Sequence, residues 1–425
     1  MMLKRTLAAA LAALSVLSLA ACGGGQEPEA ETPDAPDTEE QINLTYAFWN
    51  PDQEPMLRAM ADAFEAEHQN IKVDFQITPW DEYWTKLEAG ATAGQMPDAF
   101  WMHANVIDQY VDAGILAELV PDETFDPANY VETVTNIYKR DGKYYAVPKD
   151  YDTIALFYNK ELFDKAGIAY PDATWTWDTM LEAAEKMTDA ENGVYGLLGP
   201  LQNHQGYYNL IHQNGGRVIT DDHKSGFDMP ETIEAVQFWY DLSHKYGVSP
   251  TNAQFEDIGF DTMFSNGKAA MSLMGSWKVV MMEQSDVIKG KYDVAVLPAG
   301  KVNATTMLNG LGHAVSASSE HVDAAIEFVK FMGSKEANEF QGSFGAVIPA
   351  YLGTEAIFGE KYPQLNTDAF YQMAEYSTQL PATKSKSSWE KAEKDIARRI
   401  FAEEISVEEG CRQIAEKVNE ILAND

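Results

Sequence analysis

The 425-residue chain has only two cysteines, Cys22 and Cys411, near its opposite ends. Two thiols so placed supply no disulfide framework, so stability has to come from core packing. Basic residues are also scarce. There are 31 Lys and Arg against 66 Asp and Glu, a formal charge of −35. Such a surface excludes a nucleic-acid-backbone binder and works against anionic ligands in bulk. The eight histidines are scattered, with no pair at metal-ligand spacing. There is no Gly-x-x-x-x-Gly-Lys loop to hold nucleotide phosphates, and neither Gly-x-Ser-x-Gly nor His-Glu-x-x-His to signal a hydrolase. No hydrophobic run beyond the N-terminus is long enough to cross a bilayer.

What remains is material for a large fold. Hydrophobic residues make up 45% of the chain and aromatics 11%, enough to fill cores. The length suits two domains of about 150–200 residues each. Residues 1–21 read as a secretory signal: Lys4 and Arg5, then an apolar run too short to span reliably. It ends in Leu19-Ala20-Ala21-Cys22, which looks like a bacterial lipobox with Cys22 taking the lipid. That makes the protein membrane-anchored rather than membrane-spanning. Residues 22–41 are acidic, rich in Pro and Gly, and nearly free of apolar side chains. They read as a disordered tether.

The folded part begins with strand–helix–strand alternation. Residues 42–48, 71–77 and 99–102 read as strands, with amphipathic helices between them. Short loops between such elements predict a parallel-type sheet with crossover helices. Ligands bind beyond the carboxyl ends of strands in these sheets, where Trp49, Trp80 and Trp101 fall. Residues 144–147 and 153–158 read as two further strands, with Pro148, Lys149, Asp150, Tyr151 and Asp152 as a polar crossing between two α/β blocks. Helical patterns dominate the chain after residue 322.

Several pieces carry a family likeness: Trp49-Asn50, residues 93–98, Phe100-Trp101, residues 145–148, residues 156–160, Gly215-Gly216, residues 264–271 and Gly275-Ser276-Trp277. Together, in this order and behind a lipobox, they resemble the extracellular solute-binding proteins of ATP-driven sugar importers, the family of maltose-binding protein. The resemblance implies an α/β, two-lobed periplasmic-binding-protein-like fold, with two α/β domains joined by a multi-strand hinge. It implies an N-terminal lobe of residues 42–148 plus 313–348 and a C-terminal lobe of 153–308 plus 354–425. The crossings are then 149–152, 309–312 and 349–353.

The function so implied is capture of a carbohydrate, an oligosaccharide in the first instance, by hinge closure. The partners implied are the transmembrane subunits of an ABC permease and the membrane itself, through Cys22. The protein is then an extracytoplasmic monomer, not an enzyme, and uses no cofactor or metal. Sugars show apolar C–H faces and a rim of hydroxyls, so aromatic planes and planar carboxylates or amides suit them. The family's Gly-x-Trp turn matches Trp277, its first-lobe Phe-Trp position matches Trp101, and a C-terminal stacking position matches Trp389. Where maltose binders have an acid–base pair after that first-lobe tryptophan, this chain has Ala104-Asn105. Trp49 and Asn50 end the first strand; Trp80 and Tyr83 follow the second. Asp150 and Asp152 either bond hydroxyls or cap a turn; Asn309 sits in the return crossing. Tyr207 is drawn from a contact stretch it shares with Tyr208, one of the two being expected in the core. Other ligands on the same fold remain open, a polyamine or a glycerol phosphodiester among them, as does a secreted glycoside hydrolase with two acids in a cleft.

Overall fold

The structure is a computed structural model and describes residues 40–425. The expected signal, the Cys22 anchor and nearly all of the tether lie outside these residues. Three parallel strands start the fold. Ile42–Phe48 pairs on one side with Ile71–Ile77 and on the other with Ala99–His103. The helix Glu54–Glu67 crosses between the first two and buries Met56, Leu57, Met60, Ala61 and Phe64, the single apolar face that its 3.6-residue period provides. A second helix, Trp80–Ala93, ends at Gly94 with φ +67°, the left-handed cap that glycine tolerates. The mixed ten-stranded sheet then continues through Met307–Val315, Val147–Asn159, Ala269–Gly275 and Tyr195–Leu198.

The crossing differs from the sequence expectation. Residues 149–152 are not a polar link between two strands. They lie inside one strand of 13 residues, Val147–Asn159. Residue 144 belongs instead to a small hairpin, Lys139–Arg140 with Lys143–Tyr144, closed by Asp141 and Gly142 at positive φ. The crossing becomes strand because Met307–Val315 runs antiparallel beside it. Leu308 pairs with Thr153, Asn309 with Asp152 and Leu311 with Asp150. Backbone groups that a loop would give to water are thereby satisfied within the sheet. Ile348–Pro349 adds a third segment against Tyr151 and Asp150. A register shift falls between Leu311 and Gly312. A Cβ at Gly312 would sit 2.9 Å from the Tyr138 ring, so only glycine fits the approach.

The far half of the long strand changes partners. Residues 154–158 pair with Ala269–Gly275, and residues 156–159 with Tyr292–Ala295. Side chains alternate across it with period two. Ala155 and Phe157 join one hydrophobic core, which also holds Tyr46, Phe48, Trp101 and Phe328. Ile154, Leu156 and Tyr158 join the other, with Trp177, Trp239 and Trp389. The helices Lys386–Phe401 and Val407–Leu422 close that second core through Ile400, Cys411, Ile414 and Val418. Among the described residues, no helix is long and apolar enough to cross a membrane.

Candidate functional site

A crevice of about 550 Å³ opens where the long strand and its antiparallel neighbour pass between the two cores. Its walls come from the carboxyl ends of the first strands, the crossing strands and two turns of the second half. Trp49 packs edge-on against Trp80 (5.0 Å, 80°) and Trp101 (4.9 Å, 86°). Perpendicular packing suits aromatic quadrupoles, and it fixes the cluster while leaving Trp80 41% exposed. Trp101 is buried, and its Nε1 donates to Tyr46 Oη at 2.7 Å. Asn50 spends its side-chain oxygen on the backbone N–H of Asp52, which starts a short turn at Pro51–Gln53; its amide N–H groups stay available to the crevice.

On the other side, the strand Ala269–Gly275 runs straight into a short turn, Ser276–Lys278. A Cβ at Gly275 would lie 1.8 Å from the Trp277 ring, so the indole lies directly over that backbone. Gln205 Oε1 accepts the Gly275 N–H at 3.2 Å. Gln205 belongs to Asn203–Tyr207, a π-helical turn whose Gln205 and Gly206 depart from helical φ/ψ; such turns cluster at functional sites. This turn brings His204 to 5.6 Å from Trp277, ring to ring.

The floor carries the charged groups. Lys149 ion-pairs with Asp150, donates to Gln53 Oε1 at 2.9 Å and lies 4.6 Å over the Trp101 ring. Burial pushes the Lys149 ammonium down and the Asp150 carboxyl up, and each charge opposes that shift in its partner. Asp152 Oδ2 accepts from Asn309 Nδ2 at 3.1 Å. Burial also raises Asp152 well above the ordinary carboxylate range. Its Oδ1 faces His204 Nε2 at 3.4 Å. Among the described residues, Asp152 Oδ1, His204 Nε2, Ser276 Oγ and Asn309 Oδ1 are buried without a hydrogen-bond partner, a state that costs free energy unless something else pairs them. His103 and His204 are driven down to about 3 and about 4, chiefly by burial. Both imidazoles are therefore neutral at physiological pH.

Of the residues singled out from sequence, Trp49, Asn50, Trp80, Trp101, Asp150, Asp152, Trp277 and Asn309 line this crevice. Three others do not, and each has its polar tip engaged inside a core. Tyr83 donates to the Trp101 carbonyl at 2.8 Å and is 1% exposed. Tyr207 donates to Glu393 Oε1 at 2.6 Å, and neighbouring Tyr208 to Oε2 of the same carboxyl. Trp389 is fully buried and donates from Nε1 to Thr383 Oγ1 at 2.8 Å. Sequence reasoning missed Gln53, His103, Gln202, His204 and Gln205. His204 and Gln205 stand just ahead of the Tyr207–Tyr208 pair, and the polar run Gln202–Gln205 is the local signal for them. Among the described residues, no group of three or more His, Cys, Asp or Glu is arranged to hold a metal ion.

Residues 50–339 match the family model described as bacterial extracellular solute-binding protein. A maltotriose-binding protein of Pyrococcus abyssi is 28% identical over 295 residues, 66% of this chain and 60% of that protein. An arabinooligosaccharide-binding protein of Halalkalibacterium halodurans is 23% identical over 278 residues, 63% of this chain and 62% of that one. The solved structure of the ABC substrate-binding protein Lmo0181 from Listeria monocytogenes, in complex with cycloalternan, superposes with a TM-score of 0.85 at 27% identity. The match covers 90% of this chain and all of that one.

Proposed function

This chain belongs to the bacterial extracellular solute-binding proteins, and on that premise we propose that it captures an oligosaccharide extracytoplasmically and hands it to an ABC importer. The observation that carries the reading is the crevice itself. Two accessible indoles, Trp80 and Trp277, stand on opposite walls, and buried polar atoms without partners stand on the floor between them. Indole faces suit the C–H faces of a pyranose, and the carboxyl and amides suit its hydroxyls. The named ligands of the relatives, maltotriose and cycloalternan, agree with this chemistry.

In this reading the lobes are residues 42–148 with 313–348, and 153–308 with 354–425. The ligand bridges them and draws the equilibrium toward closure, bending strands near 149–152, 309–312 and 349–353. Closure expels water and strengthens each hydrogen bond to the hydroxyl rim. The site needs no cofactor and performs no bond cleavage; the closed monomer docks on the permease subunits. A thermal-shift screen of mono- and oligosaccharides tests this. A ligand at a hundred times its Kd adds about 2.7 kcal/mol to the native state, a rise of several degrees in Tm. Cleaved glycan in the same samples, or no shift across the panel, overturns the reading.

The anchor belongs to the same proposal. Cys22 follows a short apolar leader and precedes an acidic stretch rich in Pro and Gly, the order that a lipid, a leash and a receptor require. Replacing Cys22 with Ser is expected to move the protein from the membrane fraction to the medium or periplasm and to cut uptake of its sugar. An unchanged membrane fraction would count against the anchor alone.

A further inference from the structure

The floor of the crevice holds one buried carboxyl that no lysine or arginine of the described residues reaches. Lys149 is matched by Asp150. Lys278, on the turn that carries Trp277, is matched by Asp261. Lys386, on the helix behind His204, is matched by Glu390 at 3.1 Å. His103 and His204 are the remaining titratable groups that face the floor from the first strands and from the π-turn, and burial keeps both neutral. Asp152 is what is left: among the described residues its only ion-pair contact is His204 at 3.4 Å, and it pairs with no lysine or arginine.

The hydrogen-bond inventory points the same way. Asp152 Oδ1 and Asn309 Oδ1 are acceptors without partners, and Asn309 is 3% exposed. His204 Nε2 also lacks a hydrogen-bond partner among the described residues. Asp152 Oδ1 and His204 Nε2 face each other at 3.4 Å without forming a hydrogen bond. A ligand hydroxyl brings one hydrogen to these acceptors; a protonated amine brings up to three, together with a positive charge that favours the ionised form of the buried Asp152 carboxyl. The indoles of Trp80 and Trp277 and the acidic surface favour a cation as well.

We propose that the sugar unit reaching Asp152, His204 and Asn309 carries a protonated amino group, so that the ligand is an amino-substituted carbohydrate. This rests on the carbohydrate reading and narrows it.

Titration calorimetry of the folded chain tests the idea against matched sets: glucosamine, galactosamine and the two- to four-unit glucosamine oligomers, each beside its N-acetylated and its neutral hydroxyl counterpart. The free amines are expected to bind at least tenfold more tightly than either counterpart. In Asp152→Asn their affinity is expected to fall at least tenfold, and that of the neutral sugars by less, so the preference collapses. Equal or tighter binding of the neutral or N-acetylated member, or a preference that survives Asp152→Asn, overturns the amine assignment and leaves the carbohydrate reading intact. Failure of every glycan, amino or neutral, overturns the carbohydrate reading and this inference with it.

Discussion

Trp277→Ala is expected to weaken sugar binding by roughly thirtyfold or more while leaving the chain folded. The indole stands at the end of the strand Ala269–Gly275, half-buried and in the crevice wall. It is therefore available to a ligand face, unlike Trp101 and Trp389, which are fully buried. Truncation of an aromatic anchor in a desolvated site costs about 2 kcal/mol or more, which is that thirtyfold. Stability should move little, because Trp277 only packs against the margin of the second core. Gly275→Ala provides a second route to the same outcome. Its new methyl would occupy space 1.8 Å from the indole, so the ring must leave its place. Calorimetry with the best sugar of the screen, beside a thermal melt of each variant, reads both quantities. Retained affinity in Trp277→Ala would remove the indole from the site.

Glu393→Gln is expected to change how stability depends on pH. Glu393 is buried on the helix Lys386–Phe401 and accepts the hydroxyls of both Tyr207 and Tyr208. Burial raises its carboxyl to about 7 from an ordinary 4.5, against the lowering effect of the two tyrosines. At pH values below 4.5 the folded and unfolded chains both hold this proton, and the site costs no charge burial. As pH rises from 4.5 to about 7, the unfolded chain releases the proton and the folded chain keeps it. The contribution of Glu393 to native stability therefore falls across that window, by about 3 kcal/mol in all, and is flat beyond it. Glutamine keeps the shape and cannot ionise. Urea unfolding at pH 4.5 and pH 8 should find the variant close to the parent at the lower pH and about 3 kcal/mol more stable at the higher. Parallel profiles would mean that Glu393 does not titrate as its surroundings dictate.

The same carboxyl explains one limit of reading the site from sequence. Tyr207 was a reasonable contact candidate: an aromatic ring in a polar stretch. What removes it from the crevice is a glutamate 186 positions later, and no local pattern announces that partner. Tyr83 and Trp389 follow the same rule, since each buries its polar tip on an internal acceptor. His204 errs in the opposite direction. Its neighbours Asn203–Tyr207 adopt a π-helical turn that ordinary helix periodicity does not anticipate, and that turn aims the imidazole at Asp152. The crossing departs from its sequence pattern for a related reason. Pro148, Lys149, Asp150 and Asp152 are typical of turns, but a strand pairs with them from 150 positions downstream and more.

The amino-acid sequence alone determined the class of this protein. Local patterns sufficed for the α/β class, because strand alternation, helix period and Gly-containing turns are local properties; the solute-binding family came from the resemblance of its ordered motifs to known relatives. It also located Trp49, Trp80, Trp101 and Trp277 at strand ends, where open α/β sheets bind ligands. Tertiary structure decided which of the aromatic rings keep a face toward the crevice, that the crossing is one continuous strand, and that Asp152 meets no lysine or arginine among the described residues. Those are outcomes of burial and pairing between residues far apart in the chain. Whether a tryptophan stacks on a sugar or fills a core depends on what arrives to cover it, and only the folded molecule brings those groups together.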